Sequence, residues 1–263
     1  MPELTQPEGS SQPAAAPLSP TARTRHRRLR EQGRADRAEL FAVLSAGFIA
    51  HLGVLSDGGP MVVPTVYGFD EQTLYVHGSV ASQSLAAGEA LACVTVTLVD
   101  GLVLARSVFE HAVNYRSAMI YGRPQIVTEP RAKLAGLRCI SEHVAPGQWD
   151  YARQPSRKEL AATRLLALSL EEASVKIRSG PPDDGDSPDA ALGLWAGELP
   201  LRARWQQPVP DPALGEPIGV PAHIQAMAGS AAYPMPAAPA SDPGMALRPA
   251  RRTTTGRPAG LRG

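Results

Sequence analysis

Residues 49–78 read IAHLGVLSDGGPMVVPTVYGFDEQTLYVHG, three apolar runs separated by two turns. The first run covers 49–55 and is closed by Ser56, Asp57, Gly58 and Gly59. The second, 61–67, is rich in valine and threonine, and the third, 73–77, follows a turn at 68–72. β-Branched and aromatic residues between clusters of glycine and aspartate predict consecutive antiparallel strands joined by hairpins. Pro64 falls inside the second strand, where it has no N–H for a ladder bond, so that strand is predicted to lie at an edge, a bulge or a barrel rim there.

Upstream, Asp36 and Glu39 have the spacing of a helix start, and Leu40, Val43, Leu44 and Gly47 follow at helical period, which predicts a short helix ending near Gly47. Downstream, a short helical segment is predicted over 79–88 and a strand over 91–99. A hairpin turn is predicted at Asp100 and Gly101 with a returning strand over 102–106, then another strand over 115–127 that pauses at Gly122. Leu134, Leu137, Ile140 and Val144 share one helical face behind Glu129 and Pro130, with Pro146 and Gly147 as the stop. Ser156 and Glu159 form a capping box, and 164–170 reads as a further strand. Many short strands with peripheral helices predict a mainly β, antiparallel barrel or sandwich rather than a parallel α/β sheet.

The proline distribution bounds this unit. Of 26 prolines, five fall in residues 1–20, six in 21–180 and fifteen in 181–263, while twelve of thirteen aromatics lie between Phe41 and Trp205. One core with proline-rich ends follows. The longest apolar stretch, 41–55, is interrupted by Ser45, Gly47, His51 and Gly53 and falls short of the ~20 apolar residues of a membrane span. The N-terminus has no charged start followed by an apolar block, so no secretory signal is read and a cytoplasmic location is expected. Cys93 and Cys139, far apart and in dissimilar contexts, make neither a disulfide framework nor a thiolate zinc site. Net charge of +1 argues against nucleic acid as a partner. The seven arginines between Arg23 and Arg37 read as a solvated arm, in a chain where arginine outnumbers lysine 23 to 3.

Two stretches are dense in chemistry. At the strand-to-helix junction His77, Gly78, Ser79, Ser82 and Gln83, a glycine allows close backbone approach, and the hydroxyls either cradle an anion or simply cap the helix. Glu110, His111, Asn114, Tyr115, Arg116 and Ser117 form either a site or a hydrogen-bonded bulge. His51, His77 and His111 lack the carboxylate spacing that would make them a metal site, and no metal is expected.

The ordered series HLGV (51–54), GGPMVVPTVYG (58–68), LYVHGS (74–79), DGLVLAR (100–106) and NYRS (114–117) resembles the pyridoxamine 5′-phosphate oxidase-like flavin-binding proteins. The resemblance is to the branch that includes nitroimidazole-resistance reductases, and Pro146 to Trp149, Glu159 to Thr163, Ala173 to Lys176, Arg178 to Pro182 and Trp195 extend it. It implies an antiparallel split β-barrel over residues 23–222, between disordered tails at 1–22 and 223–263. It further implies a homodimer with FMN in a groove between the subunits. On that resemblance Val63, Pro64, Thr65 and Val66 lie along the flavin ring, with His77, Gly78 and Ser79 at the adjacent strand end. Ser82 and Gln83 face the phosphate; Asn114, Arg116, Ser117 and Trp195 approach from facing strands or the partner chain. The implied activity is an FMN-dependent oxidoreductase passing electrons from NAD(P)H to a small nitroaromatic-like acceptor, with His77 delivering a proton or serving as a structural histidine. The alternative is a non-catalytic module for flavin, deazaflavin or haem. Gln83 departs from the family, which commonly carries an arginine against the phosphate at that place, and Ala112 and Val113 depart from a common Ser-Met pair.

Overall fold

The computed structural model describes residues 17–18, 21–25, 32–34, 36–86, 90–215 and 218–235. Arg27, Arg28 and Arg30 of the arm, and most of both expected tails, lie outside these residues. In chain order the elements are β1 (Gly33–Arg34), α1 (Arg37–Ala46), β2 (Ile49–Ser56), β3 (Gly59–Phe69), β4 (Thr73–Ser79), α2 (Gln83–Ala86), β5 (Ala92–Leu104), β6 (Ala112–Gly122) and β7 (Gln125–Ile126). They continue with α3 (Pro130–Val144), α4 (Gln148–Tyr151), α5 (Arg157–Ala162), β8 (Thr163–Ser169), β9 (Ala173–Arg178), β10 (Gly197–Pro200) and α6 (Ala222–Met227).

The three hairpin strands of residues 49–78 form as predicted. Asp57 (φ 49°) and Gly58 (φ 78°) make the β2–β3 turn, the pair of positive φ values that a tight hairpin demands and that Asp-Gly supplies. All strand pairs are antiparallel, in the order β1-β9-β6-β5-β2-β3-β4-β8-β7, with β10 added to β5. The fold is the expected split barrel. Its split opens where β3 changes neighbours: Gly59 to Val66 pair with β2, whereas only Tyr67, Gly68 and Phe69 pair with β4. Pro64 therefore sits on a stretch with a strand on one side only among the described residues, where its missing N–H interrupts no second ladder.

Alternation along the strands fills the core with Leu52, Val76, Val94, Val96, Ile120, Leu166 and Leu168, closed by Leu40, Val43 and Leu44 of α1. Each such buried side chain contributes roughly 1.5–3 kcal/mol. Asp36 caps α1 by accepting from Ala38 N–H at 2.8 Å, and the Tyr67 hydroxyl donates to Leu44 O at 2.7 Å, fastening helix to barrel. Helix α3 lies on β3 and β4. The approach is closest at Gly68, where a Cβ would come within 2.6 Å of the Cys139 carbonyl carbon and the Ile140 Cα.

Three expectations need correction. The predicted hairpin at Asp100 and Gly101 is instead a bulge in one thirteen-residue strand, β5, whose register against β6 slips between Val99 and Gly101. Turn chemistry and bulge chemistry use the same residues, and pairing along β6 decides between them. The strand expected over 115–127 begins earlier, at Ala112, while its expected pause at Gly122 is a full break before β7. The strand β9, over Ala173–Arg178, was not expected; it pairs with both β6 and β1.

Packed chain also extends beyond the expected domain limits. Leu18 is buried in the core and Thr21 Oγ1 donates to Glu172 at 2.6 Å, beside Arg23 at the expected limit, which forms an ion pair with Glu172 while lying 5.7 Å over the Tyr121 ring. At the other end α6 crosses the expected limit at 222, and Tyr233 stacks on Phe48 at 5.6 Å.

Candidate functional site

The split collects one group of the expected residues. Val63, Pro64, Thr65 and Val66 line the β3 stretch that has no β4 partner, so its outer backbone flank is free of strand pairing among the described residues. An edge of this kind, with Val62 66% exposed, is a place for a ligand or another chain to take up the open polar groups. His77, Gly78 and Ser79 end β4 beside it, and α2 packs against β2, β3 and β4. Gly78 keeps this contact close, since a Cβ there would meet Leu85 Cδ1 at 2.6 Å and push that side chain aside.

The polar side chains of the junction are locally engaged. Ser79 Oγ accepts from Ala81 N–H at 3.2 Å, Ser82 and Ser84 share a hydrogen bond at 2.9 Å, and Gln83 Nε2 donates to Asp57 Oδ2 at 3.1 Å. Gln83 is thus turned to a carboxylate across the mouth of the split. A residue that the sequence reading passed over stands nearby: Arg164, the cross-strand partner of Gly78, donates through Nη1 to Leu85 O at 3.2 Å. Its only signal in the sequence is an arginine at the start of a predicted strand, and the pairing of β8 with β4 is a long-range fact.

His77 faces the other way. Along β4, Leu74 and Val76 enter the core and Gly78 faces α2, whereas Tyr75 packs on Gly136 of α3 and His77 lines a cavity of about 320 Å³ between β4 and α3, α4 and α5. Leu137, Ile140 and Trp149 supply apolar wall, and Ser141, Arg153 and Thr163 polar wall. Among the described residues the Nδ1 atom of His77 is the one buried side-chain nitrogen or oxygen without a hydrogen-bond partner. Burial holds the His77 pKa below its usual value, so the ring is neutral near pH 7. At the cavity rim Arg153 clamps Glu159 with two hydrogen bonds of 2.8 and 3.0 Å, and with the Ser156 capping box this lowers Glu159 to about 2.

The β6 candidates do not share a face. Asn114 and Arg116 point inward and are buried, whereas Ser117, one residue on, points outward. Arg116 is 2% exposed and grips Asp100 with two hydrogen bonds of 2.8 Å, and its Nη1 donates to Pro234 O at 2.9 Å. Asn114 donates to Glu198 at 2.6 Å and to Gly180 O at 3.2 Å, and accepts from Arg178. These two side chains tie the segment after Ser179 to the barrel. Trp195 is 68% exposed and precedes β10, which pairs with β5, not with β3. The other histidines are dispersed: His111 Nδ1 accepts from Ala105 N–H at 3.0 Å, and His143 Nε2–H donates to Gly47 O at 2.8 Å. No group of three or more metal-ligating side chains occurs among the described residues, and no helix there is long and apolar enough to cross a membrane.

An antiparallel barrel that leaves half of one strand open beside a strand-to-helix turn is a split barrel. The family model for pyridoxamine 5′-phosphate oxidase matches residues 36–177, more than half of the chain, and the chain belongs to that family. Among solved structures, it is similar to the flavocytochrome Anf3 from Azotobacter vinelandii, with 36% identity over 81% of this chain and 100% of that one and a TM-score of 0.77. It is also similar to the FAD and heme binding protein from Mycobacterium smegmatis, with 34% identity over 77% of this chain and 100% of that one and a TM-score of 0.73. No curated protein matches the chain.

Proposed function

We propose that this protein is a flavin-dependent redox protein that also holds a haem, the flavin in the split and the haem in the His77 cavity. The observation that carries the reading is the partnerless Nδ1 of a buried, neutral imidazole beside a cavity of about 320 Å³, in a chain more than a third identical to a flavocytochrome. A histidine kept neutral by burial keeps the lone pair that an iron needs. Leu137, Ile140 and Trp149 would exclude water from a macrocycle there. In the split, the open flank of β3 from Val62 to Val66 would orient a flavin ring, and the β4–α2 turn would receive its phosphate. Bound there, the two groups would supply hydride and one-electron chemistry respectively, which the side chains alone cannot. The activity we assign is an oxidoreductase delivering electrons to a small acceptor.

The reading includes a homodimer. Val108 and Phe109 are 83% and 88% exposed, and Trp195, Leu199 and Leu201 stand out beside β10, a surface more apolar than a monomer needs. A second copy covering this surface would bury Trp195 against its partner. Light scattering is expected to give twice the chain mass, and a monomer would remove this element.

The test is the absorption spectrum of the purified protein supplied with flavin and hemin. The expected result is flavin bands together with a Soret band, and a His77→Ala variant that loses the Soret band and keeps the flavin. A wild-type protein that develops no Soret band removes the haem from the proposal, and one that takes up neither removes the whole.

A further inference from the structure

A phosphate at the β4–α2 turn carries about 1.5 to 2 negative charges, and the residues facing that turn do not meet them. Helix α2 has only four residues, too few to build a macrodipole. Gln83 donates one amide N–H to Asp57, which itself adds a negative charge at the mouth of the split. The hydroxyls of Ser79 and Ser82 are neutral. An anion would therefore be desolvated beside a carboxylate, and it needs a fixed cation.

Strand β8 brings one. Arg164 stands directly opposite Gly78 in the β4–β8 register. Side chains directly opposite share a face, and since Gly78 has none, the arginine crosses the end of β4 on the side where Leu85 packs. There its Nη1 donates to Leu85 O at 3.2 Å, so the guanidinium is held between the strand end and α2. The side chain is half-buried, and that single contact with described residues leaves the rest of its five-donor fork for a ligand. Arg116, the other inward arginine near the sheet, is closed off by Asp100 and Pro234.

We infer that Arg164 is the phosphate-binding cation of the flavin site, gripping the anion from β8 while bracing α2 through Leu85. The inference rests on the proposed flavin reading and names the residue that makes that site select phosphorylated flavins.

The experiment titrates the cofactor-stripped full chain with riboflavin, FMN and FAD, followed by flavin fluorescence, in wild type, Arg164→Lys and Arg164→Gln. A charge-assisted hydrogen bond predicts that Arg164→Gln weakens FMN and FAD by about tenfold or more. Riboflavin, which has no phosphate, is expected to bind wild type and Arg164→Gln equally, and Arg164→Lys to recover part of the FMN affinity. Circular dichroism confirms that each variant is folded. Equal loss of riboflavin and FMN would overturn the inference and leave Arg164 as a brace for α2 only, as would unchanged FMN affinity in Arg164→Gln. A wild type that binds none of the three flavins would instead overturn the flavin reading itself.

Discussion

Asp100→Ala should be among the most damaging single substitutions outside the apolar core. Asp100 occupies the β5 bulge, and its carboxylate meets the Arg116 guanidinium in two hydrogen bonds of 2.8 Å, with the two side chains 13% and 3% exposed. Removing one partner of a buried pair leaves an uncompensated charge and costs about 3–5 kcal/mol. The lower end applies, because Asp100 keeps some solvent and Arg116 keeps its bond to Pro234 O. A loss of about 3 kcal/mol lowers the melting temperature by roughly 6–12 °C for a chain of this size. Equilibrium urea unfolding followed by circular dichroism measures it. Asp100→Leu combined with Arg116→Met should recover most of the loss, because two apolar side chains leave no orphaned charge. A loss under about 1 kcal/mol for Asp100→Ala would refute the assignment of Arg116 to a buried structural pair.

Further outcomes follow from the same geometry. His143 is packed among Tyr67 and Phe69, and burial depresses its pKa below 6.5 despite the bond to Gly47 O. The unfolded chain therefore binds a proton more readily, so stability is full above about pH 6.5 and falls as the pH drops. His143→Gln should flatten that fall between pH 7.5 and 5 in urea midpoints, and an unchanged slope would place the dependence elsewhere, His77 being the other depressed histidine. Gly68→Ala should cost about 1–3 kcal/mol or more, because the added methyl meets α3 backbone that cannot yield; wild-type melting behaviour would contradict the close β3–α3 contact. Ser156→Ala removes one half of a capping box and should cost about 1 kcal/mol in the same unfolding assay.

The β2–β3 and β3–β4 hairpins, α1, α3 and α5 were legible because their signals are local: Asp57 and Gly58 dictate one turn, Asp36 one cap, Ser156 and Glu159 another. Pro64 announced the strand that lacks a second neighbour, and with it the split. What stayed hidden depends on pairing between distant segments. Asp100 and Gly101 look alike in a turn and a bulge until β6 runs past both. Arg116 reads as a ligand-facing cation until Asp100, sixteen residues earlier, is found against it. Alternation could have separated Asn114 and Arg116 from Ser117, and the same parity turns His77 away from α2. Arg164 gains meaning only once β8 is laid opposite Gly78.

The number of cofactors that one chain holds tests the pairing of flavin and haem most directly. After reconstitution with FAD or FMN and hemin and removal of excess by gel filtration, flavin released by acid and haem assayed as its pyridine complex can each be counted against protein. A flavin and a haem for every chain, with haem alone lost in His77→Ala, is the predicted result. A wild-type chain that retains flavin and no haem, or a His77→Ala chain that retains both, would contradict it.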